Sequence, residues 1–425
     1  MKRASAAQSG FAGILLSLGL LAAGCGAASH VPASQTTREL QHHLASQSVT
    51  PAAKTSCRPG GSAGGTGVAA GAPGAGGQPT LNAVQFVSAS DGWVVGSDKI
   101  LHTGDGGQHW KVQFRANRHA SLRTVDFADA THGWVVGAKQ ILATTDGGAH
   151  WRSLPEPCPA VRDVRFLNSL DGFAVAGGPM PNPAQAPYAA GPQSGGVLLR
   201  TTDGGVHWSR MPAPRDVQTA CFSNPARGWL GAGGNIYGTE NSGRTWTLAV
   251  HGPKTRGSHA LAQVECSGSG AAWAQVNGPG AGLGHVPQIG YHTDGRSWRP
   301  IFAEQYFPHP GVRVSAEAPS VYPGPFSVIS QSQAAFVGWC PVCAAPAGSR
   351  AIGPAPLDMA LDGGGTMVHR GMIAGLTEAT GAAFLTTRDG WVVGIRQGHS
   401  VTSLIMHTAD GGRTWQAQYS AGSGR

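Results

Sequence analysis

The sequence is short of charge. Asp, Glu, Lys and Arg make up 12% of its 425 residues, against about 25% in ordinary domains, and the formal balance is only +8. So thin a scatter leaves no lysine and arginine stripe for a nucleic acid, and no such partner is expected. Long apolar runs are missing as well. The run FAGILLSLGLLAAG has 14 residues, too few to span a bilayer as a helix. Cysteine is scarce, at seven residues. CPVC at Cys340 to Cys343 has no second CxxC to complete a zinc site and no thioredoxin-like strand-helix pattern around it, so a structural disulfide or two loop thiols is the simpler reading. Neither a metal nor a cofactor is expected. Glycine, in contrast, is abundant, at 65 residues, and without a collagen-like period it signals many tight turns.

The short apolar run follows Lys2 and Arg3 and has the shape of an export signal. It ends in LAAGC, which resembles the bacterial lipobox, where cleavage leaves Cys25 as a lipidated N-terminus; a plain signal peptide is the alternative. Residues 1–24 are therefore read as a lipoprotein signal peptide. Residues 25–80, which include PGGSAGGTGVAAGAPGAGGQP, bury too little apolar surface to order themselves and are read as a disordered tether. Within it, TRELQHHLASQ could form one short helix. The expected location is extracytoplasmic, anchored to the cell membrane or envelope by lipid. The six cysteines after Cys25 would meet a disulfide-permitting compartment; fifteen pairings are possible, and the sequence does not choose.

From residue 81 to 425 the chain repeats. One unit is FVSASDGWVVG, which returns as FADATHGWVVG, FLNSLDGFAVA, FSNPARGWLGA, CSGSGAAWAQV and FLTTRDGWVVG. The other is LHTGDGGQHW, which returns as LATTDGGAHW, LRTTDGGVHW, YGTENSGRTW, YHTDGRSW and MHTADGGRTW. A worn copy lies between Ser327 and Arg370, with Phe336 and Met367 expected in place of its aromatic anchors. Each period reads as four short strands joined by turns rich in Gly, Asp and Ser. Seven such units, about 50 residues each, predict an all-β, seven-bladed β-propeller of four-stranded antiparallel blades. No copy lacks a strand, so the sequence does not say how the ring closes.

These hairpins resemble the Asp-box, or BNR, repeats of sialidases, sortilin-type receptors and xyloglucan hydrolases. DGWVVG followed by TTDGGxxW is most similar to the photosystem II stability/assembly-factor-like (WD40/YVTN/BNR-like) group. The resemblance implies a propeller that docks proteins by a basic surface, and it says little of activity because sites are grafted onto folds. The box itself reads as a fastener. Asp105, Asp146, Asp203 and Asp410 can accept N–H bonds of their own turns, Asn241 can do so in the fourth copy, and Asp294 and Asp362 hold the place in the fifth and sixth. The fifth copy has four steps from Asp294 to Trp298 instead of five, which predicts a tighter turn. Trp110, Trp151, Trp208, Trp246, Trp298 and Trp415 follow the boxes, five more tryptophans fill the second-strand slot, and only Trp339 is left over. Residues repeated in every blade are spread around the ring and cannot converge on one substrate. The same test disposes of the histidines. His109, His150 and His207 stand where other copies have Thr245, Ser297 and Thr414, and His102, His292 and His407 share a third-strand slot.

Function is then sought in what does not repeat. Four long segments fall in second-to-third-strand or blade-to-blade connections, which emerge on one face of an up-and-down propeller, and long loops on rigid scaffolds are common binding sites. The expected contacts are Tyr306, Phe307, His309, Arg313 and Tyr322, with Tyr188, His285 and Arg350. Arg115, Arg118, Arg215, Lys254 and Arg256 add basic charge in the shorter connections. The reading is a monomeric, non-catalytic, membrane-anchored propeller that binds a protein, or less readily a glycan. The alternative is a glycosidase. The Tyr-Arg-Ile-Pro signature of sialidases is absent, and other hydrolases need two paired carboxylates; Glu156, Glu265, Glu304 and Glu317 could lie on the inserted face, unpaired by anything in the sequence. A purely structural envelope lipoprotein is the third reading.

Overall fold

The structure, a computed structural model, describes residues 80–422 apart from 118–119, 139, 158–160, 178–195, 254–259, 269, 279–287, 304–311, 313–323, 339–353 and 399. Among these residues 28 strands, numbered in chain order, form seven sheets, each of four consecutive antiparallel strands. The all-β, seven-bladed propeller is therefore present. Blade 1 consists of β1 (Leu81–Phe86), β2 (Gly92–Gly96), β3 (Lys99–Thr103) and β4 (Lys111–Arg115), hydrogen-bonded in that order. The first strands of the other blades are β5 (Thr124–Phe127), β9 (Val161–Phe166), β13 (Val217–Phe222), β17 (Leu261–Cys266), β21 (Phe326–Val328) and β25 (Glu378–Phe384). Each touches the next, and β25 touches β1, so the seven surround the axis.

The repeated aromatics hold neighbouring blades together. Trp93 stacks on Phe127 of blade 2 with ring centroids 3.6 Å apart, Trp134 on Phe166 at 3.4 Å and Phe173 on Phe222 at 3.5 Å. The box tryptophan of the receiving blade meets the same phenylalanine edge-on, as Trp151 meets Phe127 and Trp208 meets Phe166. Such contacts are worth about 0.5–1.5 kcal/mol each beyond simple burial. The glycine before each second-strand aromatic is part of this packing, since a Cβ on Gly133 would stand 2.4 Å from the ring of Phe127. In blade 5, where Cys266 replaces the phenylalanine, its strand partner is Ala272 rather than glycine.

The ring closes with the same contacts. Trp391 of blade 7 stacks on Phe86 of blade 1 at 3.6 Å. Gln418 Nε2 donates to the Gly106 carbonyl at 3.0 Å, just as Gln113 Nε2 donates to that of Gly147. Among the described residues no strand is exchanged between the first and last blades.

A second latch lies at the start of the inner strands. The pairing slips at Asn82, Arg162, Gln218 and Thr380, each the extra residue of a β-bulge. A bulge re-aims its side chain, and each of these reaches the next blade. Asn82 Nδ2 donates to the Leu122 carbonyl, Arg162 Nη2 to that of Gln218, Gln218 Nε2 to that of Ala260, and Thr380 Oγ1 to that of Leu81. Blade 5 has Ala262 at this place and no bulge. Blades 4 and 5, already joined by Gln218, are also linked by a Cys221–Cys266 disulfide with Cα atoms 5.6 Å apart, one of the pairings that the sequence left open.

The box turns combine two side chains. In blade 2, Asp146 Oδ1 accepts the N–H of His150 at 2.9 Å, and Asp146 Oδ2 lies 2.7 Å from His150 Nδ1. The buried Thr144 Oγ1 donates to Asp146 and accepts from the N–H of Gly148 at 2.9 Å. The pattern recurs at Asp105, Asp203 and Asp410, and Asn241 accepts from Thr245 N–H in blade 4. These donors, the backbone N–H first, hold the carboxyls of Asp105, Asp146 and Asp203 down to about 2, because hydrogen bonding to the ionised form favours it.

Two copies depart from the common pattern, the fifth with the tighter turn that its sequence predicts. Between box threonine and tryptophan there are seven steps from Thr103 to Trp110 but five from Thr293 to Trp298, so the fifth turn is shorter by two residues when counted from threonine. Asp294 accepts from Arg296 N–H, two residues on, and cannot bridge the usual four. In blade 6 the pairing sets Ala335 in the Trp93 place and Phe336 one step later. Because strand side chains alternate, Phe336 does not replace the stacked anchor. It packs backwards with Trp273, Phe302 and Phe326, while Ala335 joins Leu357, Met359 and Phe384.

Candidate functional site

The up-and-down blades give the ring two unlike ends. First-to-second and third-to-fourth strand turns, with all the boxes, leave at one end. Second-to-third and blade-to-blade connections leave at the other, and the four long segments all begin and end on strand termini there. The residues expected to bind, Tyr306, Phe307, His309, Arg313, Tyr322, Tyr188, His285 and Arg350, lie outside the described residues, as do Cys25, Trp339, Cys340, Cys343, Arg118, Lys254, Arg256, Glu304, Glu317 and the short tether helix. Arg115 and Arg215 are described and exposed at that end.

A second constellation lies on the axis, where the sequence pointed to no site. The position before the inner-strand phenylalanine is Gln85, Asp126, Arg165, Cys221, Glu265, Ser327 and Ala383 in blades 1 to 7. In blades 1, 2 and 6 its side chain bridges to the next blade. Gln85 Oε1 accepts from Phe127 N–H at 2.6 Å, Asp126 Oδ2 from Phe166 N–H at 2.6 Å, and Ser327 Oγ from Phe384 N–H at 2.9 Å. These residues line a cavity of about 340 Å³ together with Arg165, Glu265 and the ends of β1, β21 and β25.

The cavity is polar and charged. Arg165 Nη1 donates to Asp163 Oδ1 at 3.0 Å and to the Val164 carbonyl at 2.9 Å. Asp163 beside it raises the guanidinium further, against the desolvation. Asp126 is only 8% exposed, and burial pushes its carboxyl up to about 6 in spite of Arg165 and the Phe166 N–H. Glu265 is pushed up to about 7 by burial, opposed by Arg165 and by a hydrogen bond from Val328, and helped by the charge of Asp163. Water reaches the site all the same, since 39% of the Arg165 side chain is exposed. Glu265 therefore does not lie on the inserted face, because an inner strand turns it to the axis. Glu156 sits in the connection after blade 2.

Two of the third-strand histidines have separate partners. His407 Nε2 is 2.8 Å from Asp389 Oδ1, and His292 Nε2 is 2.8 Å from the Gln331 carbonyl. Among the described residues no three His, Cys, Asp or Glu side chains come together as a metal site would require.

The axial residues were legible in principle. In a column of aligned repeats, charged residues at a slot that elsewhere holds Gln, Cys, Ser or Ala stand out. Attention to what recurs hides them.

Comparison with known proteins bears on the architecture. A family model described as Photosynthesis system II assembly factor YCF48 matches residues 76–155 and 113–272. Among solved structures, "YCF48 bound to D1 peptide" is 17% identical with a TM-score of 0.50, over 78% of this chain and 92% of that one. The GH74 xyloglucanase from Xanthomonas campestris is 13% identical with a TM-score of 0.51, over 80% and 55%. An ancestral GH74 enzyme is 14% identical with a TM-score of 0.53, over 81% and 47%. This chain thus spans about half the length of those two enzymes. No curated protein matches the sequence. The fold and its boxes define a BNR-type β-propeller. Within that class, the YCF48 family model matches just under half of the chain, from residue 76 to residue 272. The fold is shared by an assembly factor and by glycoside hydrolases, so it does not by itself choose between binding and catalysis.

Proposed function

We propose that this chain is a non-catalytic, monomeric, extracytoplasmic propeller, lipid-anchored at Cys25, that binds a protein segment on the end carrying its long connections. The observation that supports this reading is the one-sided placement of the four non-repeating segments on an otherwise regular ring. A rigid scaffold with variable loops at one end suits recognition. The related YCF48 has been solved with a D1 peptide, and a peptide or protein is the kind of partner inferred here. Tyr306, Phe307, His309, Arg313 and Tyr322 would supply the central contacts. Tyr188, His285 and Arg350 would flank them.

The test is site-specific photocrosslinking in intact cells. A crosslinker at Tyr306 is expected to capture one discrete protein, and the same group at Arg413, on the box end, is expected to capture none. Equal capture from both ends, or none from Tyr306, would overturn the reading. Anchoring is tested separately with Cys25→Ser, which is expected to move the protein from the detergent phase to the aqueous phase.

One observation favours a second reading, glycoside hydrolysis. Asp126 and Glu265 line one cavity and are both raised, as a general acid must be. Turnover of fluorogenic glycosides that disappears in Glu265→Gln would establish it, and no turnover with any of them would exclude it.

A further inference from the structure

We propose that the axial cavity is a binding site for an organic cation, an alkylammonium or guanidinium group held between Asp126 and Glu265. The site stands apart from the partner-binding end, so it neither needs nor supports that reading.

Three observations carry it. The first is charge. One guanidinium, Arg165, faces three carboxylates, those of Asp126, Asp163 and Glu265, and it is already hydrogen-bonded to Asp163. Among the described residues, these three carboxylates have Arg165 and, through Asp163, Arg162 as their basic neighbours, which leaves one carboxylate in excess. The second is an unused acceptor. Asp126 is more than nine-tenths buried and lines the cavity. Its Oδ2 takes the Phe166 N–H, and no other hydrogen bond reaches the carboxylate among the described residues. The third is room, since about 340 Å³ exceeds the volume of a guanidinium with a short alkyl stem.

The repeat supplies the contrast. Gln85 and Ser327 occupy the same slot as Asp126 and Glu265 and bridge blades without charge. A carboxylate is therefore not needed to join the blades, and its desolvation is a cost that a bound cation would offset. A cluster without three suitable ligands argues against a metal ion. A planar guanidinium or an ammonium can instead be held by two separated carboxylates and by backbone carbonyls.

Ionisation links the site to pH. The titratable groups facing Asp126 and Glu265 are Asp163 and Arg165 of β9, and the other lining residues do not titrate. With Asp126 near 6 and Glu265 near 7, both are protonated in acid and lose affinity there. A cation arriving near neutrality would displace protons.

The experiment is calorimetric titration of the full chain with agmatine, with a capped Gly-Arg-Gly peptide and with its uncharged citrulline analogue. Saturable binding at pH 8 is expected for at least one cationic probe and not for citrulline. Affinity should fall about tenfold or more at pH 5, and also in Asp126→Asn and in Glu265→Gln, while Thr144→Val in a box leaves it unchanged. Asparagine keeps the acceptor for Phe166 N–H, which protects the fold. In the unaltered protein, heats measured at pH 6.5 in phosphate and in Tris should differ by the protons released. Tighter binding of the peptide identifies a side chain as the source of the cation, and tighter binding of agmatine identifies a free small molecule; either supports the site. No saturation by either cation, equal binding of citrulline, no proton release, or unchanged affinity in both variants would overturn it.

Discussion

Carboxylates at the rim and on the axis of this ring behave in opposite ways. At the rim, Asp105, Asp146 and Asp203 keep 39–40% of their side chains exposed, receive backbone N–H donors and are pulled down to about 2. On the axis, Asp126 and Glu265 are enclosed and pushed up to about 6 and 7. The rim carboxylate recurs blade after blade, and each axial one occurs once. Repetition thus marks the parts that hold the ring together, and the slot that changes from blade to blade, charged at Asp126, Arg165 and Glu265, lines the axial cavity.

The largest effect that would sharpen this contrast comes from the repeated side. Trp134 is 2% exposed, stacks on Phe166 and donates to the Gly204 carbonyl at 2.9 Å. Trp134→Ala is expected to cost about 3–5 kcal/mol, read as a lowered denaturant midpoint. Next comes the axis, with the opposite sign. A carboxyl raised in the folded state contributes stability that is fully present below its unfolded pKa and is lost as pH rises through the folded value. The pair Asp126→Asn and Glu265→Gln removes that loss, so the double variant should be more stable than the parent at pH 8 by about 1–3 kcal/mol. The gain should vanish near pH 4, and a double variant less stable at pH 8 would break the comparison.

Smaller effects belong to single turns. Thr144→Val strips the buried acceptor of Gly148 N–H and should cost about 1–2 kcal/mol, measured by thermal melting. The box aspartates carry stability that is present above their unfolded pKa and is lost as pH falls from about 4 towards 2. Asn241, which does not titrate, supplies the internal control. Asn241→Asp should steepen the loss of stability across that acid range and leave neutral pH nearly unchanged.

Much of the fold could be read directly because the repeat states each rule several times over. Gly133 before Trp134, or Thr144 two residues before Asp146, shows its purpose by recurring with the same neighbours. Pairing across space was not legible. The Cys221–Cys266 bond joins a bridging slot to the phenylalanine slot of the next blade, and spacing alone does not reveal that. Phe336 misled because an aromatic one step out of phase looks like an anchor in a sequence and faces the other way in a strand. Glu265 misled for a related reason. Beside long insertions it read as part of a loop face, whereas alternation along β17 directs it to the axis. Of the candidate site, the sequence identified the end that carries the variable segments and missed the cavity, whose members come from blades far apart in the chain.

The contrast between rim and axis is tested most directly by carbon-13 NMR titration of the side-chain carboxyls, with Asp126 and Glu265 assigned from their Asn and Gln variants. The account predicts that these two titrate near pH 6 and 7 while Asp105, Asp146 and Asp203 titrate near 2. All five titrating together at about 4, as free carboxyls do, would contradict it.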